Sequence, residues 1–276
     1  MRLELRKEDY TDPACPFDLR AYTGEPKTQV PVRRVMEKVD EYLGRNDYDG
    51  AERTLDYWLN EAETGGDGRG ALAVRNELMG LYRKLDRETE AIEQAEAALA
   101  LSAGLGLEGT VTEGTTLVNA ATVYTAFGQA EAALGLYEQA KRVYEARLPA
   151  TDDRLGGLYN NMALALTDLG RYAQARELYA KALWIMGQAE HGQLEQAITW
   201  LNLADVAAAE RGLLEAEEDI HDCLDRAWEL LQTSELPRNG YYAFVCEKCA
   251  PTFGYYGYFD CKNQLLDRAG RIYAGA

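Results

Sequence analysis

The chain has 276 residues, of which 47% are hydrophobic and 27% are charged, and its formal net charge is -17. This composition is that of a folded chain and excludes wholesale disorder. Because an acidic surface repels phosphate groups, nucleic acid and anionic membrane surfaces are disfavoured as partners.

The first 30 residues differ from the rest of the chain. Pro13, Pro16 and Pro26 exclude a continuous helix there, because proline removes a backbone donor and clashes with the preceding turn. Pro31 suits the first turn of a following helix. We expect residues 1–30 to form an extended N-terminal arm or cap over the first repeat, and a disordered tail is the alternative.

The extreme N-terminus also bears on location. It carries charges where a signal peptide needs an apolar core, and no apolar run approaches the roughly 18 residues of a membrane-spanning helix. We therefore expect a cytoplasmic protein whose thiols are reduced. The five cysteines are Cys15, Cys223, Cys246, Cys249 and Cys261.

From residue 31 onwards one pattern recurs at intervals of 40 to 46 residues. It consists of Ala, an apolar residue four positions on, and a small or apolar residue three positions beyond, which places all three on one helix face. Small residues at these positions allow a neighbouring helix to approach closely. The copies are Ala51-Leu55-Trp58, Ala91-Ala95-Ala98, Ala133-Tyr137-Ala140, Ala175-Tyr179-Ala182, Ala216-Ile220-Cys223 and a degenerate Lys262-Leu266-Ala269.

Each copy is preceded by a tight turn and another helical stretch. Most of the turns contain Gly or Asn, residues that take the left-handed conformation with which helices end. The pattern predicts about twelve helices in six units, with no sheet. The turns are centred on Asn46, Asp86, Gly128, Gly170, Gly212 and Gly257, and the units span about 31–65, 68–104, 110–148, 152–189, 193–233 and 240–276.

These units resemble tetratricopeptide repeats, whose signature is Trp-x2-Leu-Gly-x2-Tyr, then Ala-x3-Phe, then Pro. The period near 42 is similar to that of the long-repeat subclass seen in kinesin light chains and bacterial peptide-sensing regulators. The resemblance implies an all-α protein, an α-solenoid of about six repeats in a right-handed superhelix over residues 31–276, whose first helices line a concave groove. The best match is Tyr159-x2-Met162-Ala163-x2-Leu166 followed by Ala175-x3-Tyr179.

Asparagines recur on the first helices of the units. Asn119, Asn161 and Asn202 occupy equivalent places, 42 and 41 residues apart. An amide offers a donor and an acceptor, so it can hold the peptide bond of an extended ligand, and the resemblance also assigns such asparagines to the ligand groove. Alternatively, they bond between adjacent repeats or face water. The full set is Asn76, Asn119, Asn160, Asn161 and Asn202.

Groups near these asparagines are candidates for setting ligand specificity. We expect Arg83 and Arg75 in the second repeat, Thr115 and Thr122 in the third, and Asp205 in the fifth to contribute. The family's charged clamp for a C-terminal carboxylate uses paired cations on successive first helices. This chain lacks such a ladder, so that ligand is disfavoured.

The last unit departs most from the pattern. It is rich in aromatic residues and carries Pro251, which we expect to kink its helix. Cys246 and Cys249 raise zinc and redox alternatives, but they fall where Trp200 and Leu203 stand one repeat earlier. We therefore predict that both pack as small buried hydrophobes.

No nucleophile motif joins the two serines and two histidines. We predict a non-catalytic scaffold or adaptor without metal or cofactor that binds a protein or peptide segment in its groove. The alternative is a regulatory sensor module that binds a small peptide or metabolite and controls a separate effector. An enzyme is the third class, and the oligomeric state is left open.

Overall fold

The computed structural model of the protein describes residues 26–27, 29–190 and 192–275. These residues form twelve helices and no strand, which confirms the predicted helical-repeat fold. Their contacts divide the chain into two compact units, with the boundary between Val123 and Tyr124. The helices are numbered α1 to α12 in chain order.

In the first unit, consecutive helices pack against each other from α1 to α4, and α1 also touches α3. This is the packing of helix pairs in which first helices also neighbour one another. The helix α5 begins in this unit and ends just past its boundary. The bounds are α1 Val32–Leu43, α2 Tyr48–Gly65, α3 Gly68–Lys84, α4 Glu88–Gly104 and α5 Val111–Ala126.

In the second unit, consecutive helices pack from α6 to α10, and α11 packs on α12. The first helices α7, α9 and α11 also contact each other in sequence. The bounds are α6 Ala130–Arg147, α7 Asp153–Asp168, α8 Tyr172–Met186, α9 Gln193–Arg211, α10 Glu217–Gln232, α11 Gly240–Tyr255 and α12 Phe259–Tyr273.

The six predicted turns are confirmed. Each contains one residue with positive φ at the end of a first helix, a conformation that favours Gly and is tolerated by Asn and Asp. These residues are Asn46, Asp86, Gly128, Gly170, Gly212 and Gly257.

The recurring small-residue stripe is buried in five copies, and the Ala that opens each of them is at most 1% exposed. In the sixth copy the predicted register is wrong at its middle position. Leu266 is exposed, whereas Leu265 and Ala269 are buried. The reason is that the turn after α11 follows Gly212 by 45 residues rather than 46, so Leu265 and not Leu266 takes the place of Ile220.

Residues 1–25 and 28 lie outside the described residues, and the predicted arm therefore falls largely outside them, as does Cys15. Its described end contacts the first unit. The Lys27 amide donates to the Gly65 carbonyl (2.7 Å), and the Val30 amide donates to Oδ2 of Asp67 (2.8 Å). These bonds fasten the chain before α1 to the turn between the first two repeats.

Candidate functional site

One side of the first helices in the second unit stays open. The helix α9 packs against α7, α8, α10 and α11, and one of its open stripes carries Glu195, Asn202 and Asp205, since stripe positions recur every three to four residues. We call this surface the first-helix face. It comprises Asn161, Leu164 and Asp168 of α7, Glu195, Asn202 and Asp205 of α9, and Tyr241, Phe244, Lys248 and Tyr255 of α11, all exposed or half-buried.

Two of its asparagines are linked across repeats. Asn160 lies beside the face, and its Oδ1 accepts from Nδ2 of Asn202 (3.2 Å) and lies 3.0 Å from Oγ1 of the buried Thr199. The Thr199 hydroxyl also reaches the Glu195 carbonyl at 2.8 Å. We call this set the second-unit tie, since it joins α7 to α9.

The first unit contains a matching set. Asn119 Nδ2 donates to Oδ1 of Asn76 (2.8 Å), and Nδ2 of Asn76 donates to Oγ1 of the buried Thr116 (3.2 Å) and to the Leu72 carbonyl (2.8 Å). This first-unit tie joins α3 to α5. An Asn-Thr-Asn link therefore occurs in each unit, at equivalent positions.

The ties distinguish the predicted asparagines from one another. Asn76, Asn119, Asn160 and Asn202 each have at least one hydrogen bond to the neighbouring repeat. Asn161 instead accepts a long bond (3.5 Å) from Nδ2 of Asn160 on its own helix. Its amide is therefore the least committed of the five.

The other predicted residues lie in varied settings. Thr122 and Thr115 donate to carbonyls of their own helix, those of Val118 (2.8 Å) and Val111 (3.1 Å). Arg83 is half-buried in the last turn of α3.

Arg75 is directed towards second helices. It donates to Oε1 of Gln94 on α4 (2.6 Å) and pairs with Glu63 on α2. Its guanidinium is thus occupied by side chains of the fold.

Asp205 lies beside the last repeat and accepts from the hydroxyl of Tyr256 (2.8 Å). Loss of solvent around the carboxylate raises its pKa, and the Tyr256 hydrogen bond partly opposes this shift. The same environment raises the pKa of Tyr256, chiefly through burial and then through its bond to Asp205. The pair fastens the end of α11 to α9.

A second carboxylate-tyrosine pair joins the same two helices. The hydroxyl of Tyr241 donates to Glu195, and the Tyr241 ring stacks on Phe244 with centroids 6.2 Å apart. Loss of solvent around the hydroxyl and then the charge of Glu195 raise the pKa of Tyr241, although its ring is exposed.

The cysteine pair of α11 is buried, as predicted. Cys246 and Cys249 are at most 1% exposed and pack in one cluster with Ile220, against which Trp200 also rests. Burial raises the pKa of the Cys249 thiol to about 12, so the thiol is protonated at neutral pH. That both thiols are reduced and metal-free stays a prediction. The helix continues through Pro251.

The structure also bears on metal binding and on insertion into a membrane. Within the described ranges, no group of three or more His, Cys, Asp or Glu side chains is placed to hold a metal ion. None of the helices that the structure describes has the length and apolar character needed to cross a membrane.

Sequence reasoning did not identify several groups of this site. Thr116 and Thr199 occupy equivalent buried positions, yet an isolated Thr in a helix gives no sign of a partner in the next repeat. Tyr241 and Glu195 are separated by 46 residues, the predicted offset of the last repeat. That offset is the sequence signal from which the contact between Tyr241 and Glu195 could have been predicted.

Comparison with known proteins supports the repeat assignment. Residues 114–152 and 156–185 match the family model described as Tetratricopeptide repeat. Among curated protein sequences, none matches this chain.

Solved structures of similar fold include BtubC (BKLC) from P. vanneervenii, with TM-score 0.60 and 23% identity over 75% of this chain and 84% of that one. A putative kinesin light chain with nearly identical TPR-like repeats from Podosopora anserina gives TM-score 0.50 and 20% identity over 74% and 95%. NprR in complex with its cognate peptide NprX gives TM-score 0.58 and 14% identity over 91% and 70%. At such identities the similarity is one of fold, and the fold is that of tetratricopeptide and kinesin-light-chain-like repeats.

Proposed function

We propose that this chain, a tetratricopeptide repeat protein, is a non-catalytic scaffold or adaptor that binds a peptide or protein segment on its first-helix face. The observation that supports this best is the exposure of apolar side chains there. Leu164 is 38% exposed, Tyr241 49% and Tyr255 71%. Exposed apolar side chains that share one face with polar groups are typical of interaction sites.

The amide of Asn161 supplies the polar component. It stands one helical turn from Leu164, and among the described residues it forms no hydrogen bond to another repeat. Such an amide can accept from a ligand backbone N–H and donate to its C=O, whatever the ligand side chains are. NprR, which shares the fold, was solved with a bound peptide, and this supports the same class of ligand here.

The test begins with a random peptide library displayed on phage and selected on the immobilised chain. Selected peptides are then measured by fluorescence anisotropy against the wild type, Leu164→Glu and Leu214→Glu. Leu214 is 90% exposed in the turn before α10, outside the face, so it is a matched control for the same chemical change.

We expect Leu164→Glu to weaken binding at least about tenfold, because a charge then replaces an apolar contact. Leu214→Glu should leave the affinity unchanged. Failure to select any peptide, or equal effects of the two variants, would refute binding at this face.

The second candidate is a regulatory sensor that binds a free small peptide or metabolite. The NprR complex with its cognate peptide favours it. The adaptor and the sensor differ in whether the bound peptide must have free N- and C-termini. Comparing each selected peptide alone with the same peptide inserted in a loop of a folded carrier separates them, since an adaptor binds both and a sensor for a free peptide binds only the first.

A further inference from the structure

The α9–α11 part of the first-helix face carries two carboxylate-tyrosine pairs. The hydroxyl of Tyr241 donates to Glu195, and the hydroxyl of Tyr256 donates to Asp205 (2.8 Å). Each donated bond uses one of the carboxylate's several acceptor sites and leaves the others open. The rings add π-faces, which attract cations.

These carboxylates carry charge that the protein does not neutralise. Glu195, Asp205 and the nearby Asp168 form no ion pair within the part of the chain that the structure describes. Arg154, which precedes Glu195 by one repeat, is held at Nε and Nη2 by Asp152 at 2.8 Å. The face carries the exposed Lys248 against Asp168, Glu195 and Asp205, so in a chain of net charge -17 its potential is negative on balance.

The spacing of the two pairs sets the ligand's geometry. Glu195 and Asp205 are ten positions apart on one helix, or about 15 Å at 1.5 Å per residue. An extended peptide rises about 3.3 Å per residue, so it covers that distance in about four to five residues. Lys248 lies on the α11 stripe between Tyr241 and Tyr255, and it disfavours a further basic group at the ligand's centre.

We propose that the segment bound here is basic, carrying two Lys or Arg side chains four to five residues apart that are received by Glu195 with Tyr241 and by Asp205 with Tyr256. This inference rests on the proposed function and names its ligand class. Charge complementarity and the rings of the exposed Tyr241 and the half-buried Tyr256 identify the occupant as a cationic peptide rather than an acidic one.

The experiment uses the full chain and labelled synthetic peptides with two Arg separated by three, four or six Ser/Thr residues, plus a Glu-for-Arg version. The face variant combines Glu195→Gln with Asp205→Asn. Both changes keep an oxygen acceptor for the tyrosine and remove the negative charge. The control is Glu177→Gln with Glu229→Gln, a matched double change on the second helices α8 and α10. Circular dichroism melting verifies that each variant is folded.

We expect the peptides with three or four intervening residues to bind, and the six-residue and Glu versions to bind at least about tenfold more weakly. The affinity of the face variant for the binding peptides should fall about tenfold or more for each charge removed. Raising the salt concentration should weaken binding further. If library peptides bind at the face but are not basic, or if the face variant binds as the control does, the cationic ligand is wrong while peptide binding stands. If no peptide binds and the library yields none, the proposed function itself fails.

Discussion

The neighbouring residues Asn160 and Asn161 are expected to respond in opposite ways to the same change. In the second-unit tie, Oδ1 of Asn160 accepts from Nδ2 of Asn202 at 3.2 Å and lies 3.0 Å from the hydroxyl oxygen of Thr199. Among the described residues, the one side-chain hydrogen bond of Asn161 is the 3.5 Å contact to Asn160. Asn160→Ala should therefore lower stability, and Asn161→Ala should lower ligand binding.

The magnitude follows from which bonds are lost. The Thr199 hydroxyl has one hydrogen, and in Asn160→Ala it still donates this hydrogen to the Glu195 carbonyl at 2.8 Å. The Asn202 amide loses its acceptor but is half-buried and regains some water. One net hydrogen bond and a small loss of packing give about 1–2 kcal/mol. For Asn161→Ala we expect no more than about 0.5 kcal/mol.

Urea unfolding followed by circular dichroism at several temperatures measures this difference. Native-state hydrogen exchange of α7 and α9 supplements it, because repeat arrays unfold in parts and exchange reports the stability of each helix separately. The reasoning is refuted if Asn161→Ala destabilises as much as Asn160→Ala. It is also refuted if Asn160→Ala changes stability by less than about 0.3 kcal/mol while peptide affinity falls.

Two further predictions concern the packing of the repeats. Ala175→Leu should destabilise by about 1–3 kcal/mol, because Ala175 is fully buried at a close helix contact and the added volume forces neighbours apart; the shift of the urea midpoint checks this, and an unchanged midpoint contradicts it. In the native protein at pH 8, a thiol reagent should modify the half-buried Cys261 well before the buried Cys249, whose pKa of about 12 keeps it protonated. Mass spectrometry of each labelled peptide gives the rates, and rapid reaction at Cys249 would show instead an accessible, activated thiol.

Most of the fold could be predicted from the sequence because its signals are local and repeated. Residues such as Gly128 and Gly170 end helices through their own backbone preferences, and each turn recurs in register with the next. The misplaced sixth copy shows the limit of this reasoning. Adjacent Leu265 and Leu266 are equally apolar, and only packing decides which of them is buried.

The candidate site was less predictable. Five asparagines were identified from their positions, but their partners were not, because a hydrogen bond between repeats depends on side chains about 40 residues apart. Asp205 was identified without its partner Tyr256, which directly follows the Pro251-containing helix α11 in a repeat of irregular length.

The sequence by itself determined the helices, their turns and the small buried stripe, since helix periodicity and left-handed turn residues act within a few positions of the chain. It also determined the acidic net charge of -17. Tertiary structure decided which polar side chains are used by the fold and which stay open. Asn160 and Asn161 are identical residues on one helix, yet the close approach of α9 engages the first and leaves the second, because their directions differ by about 100° around the helix axis.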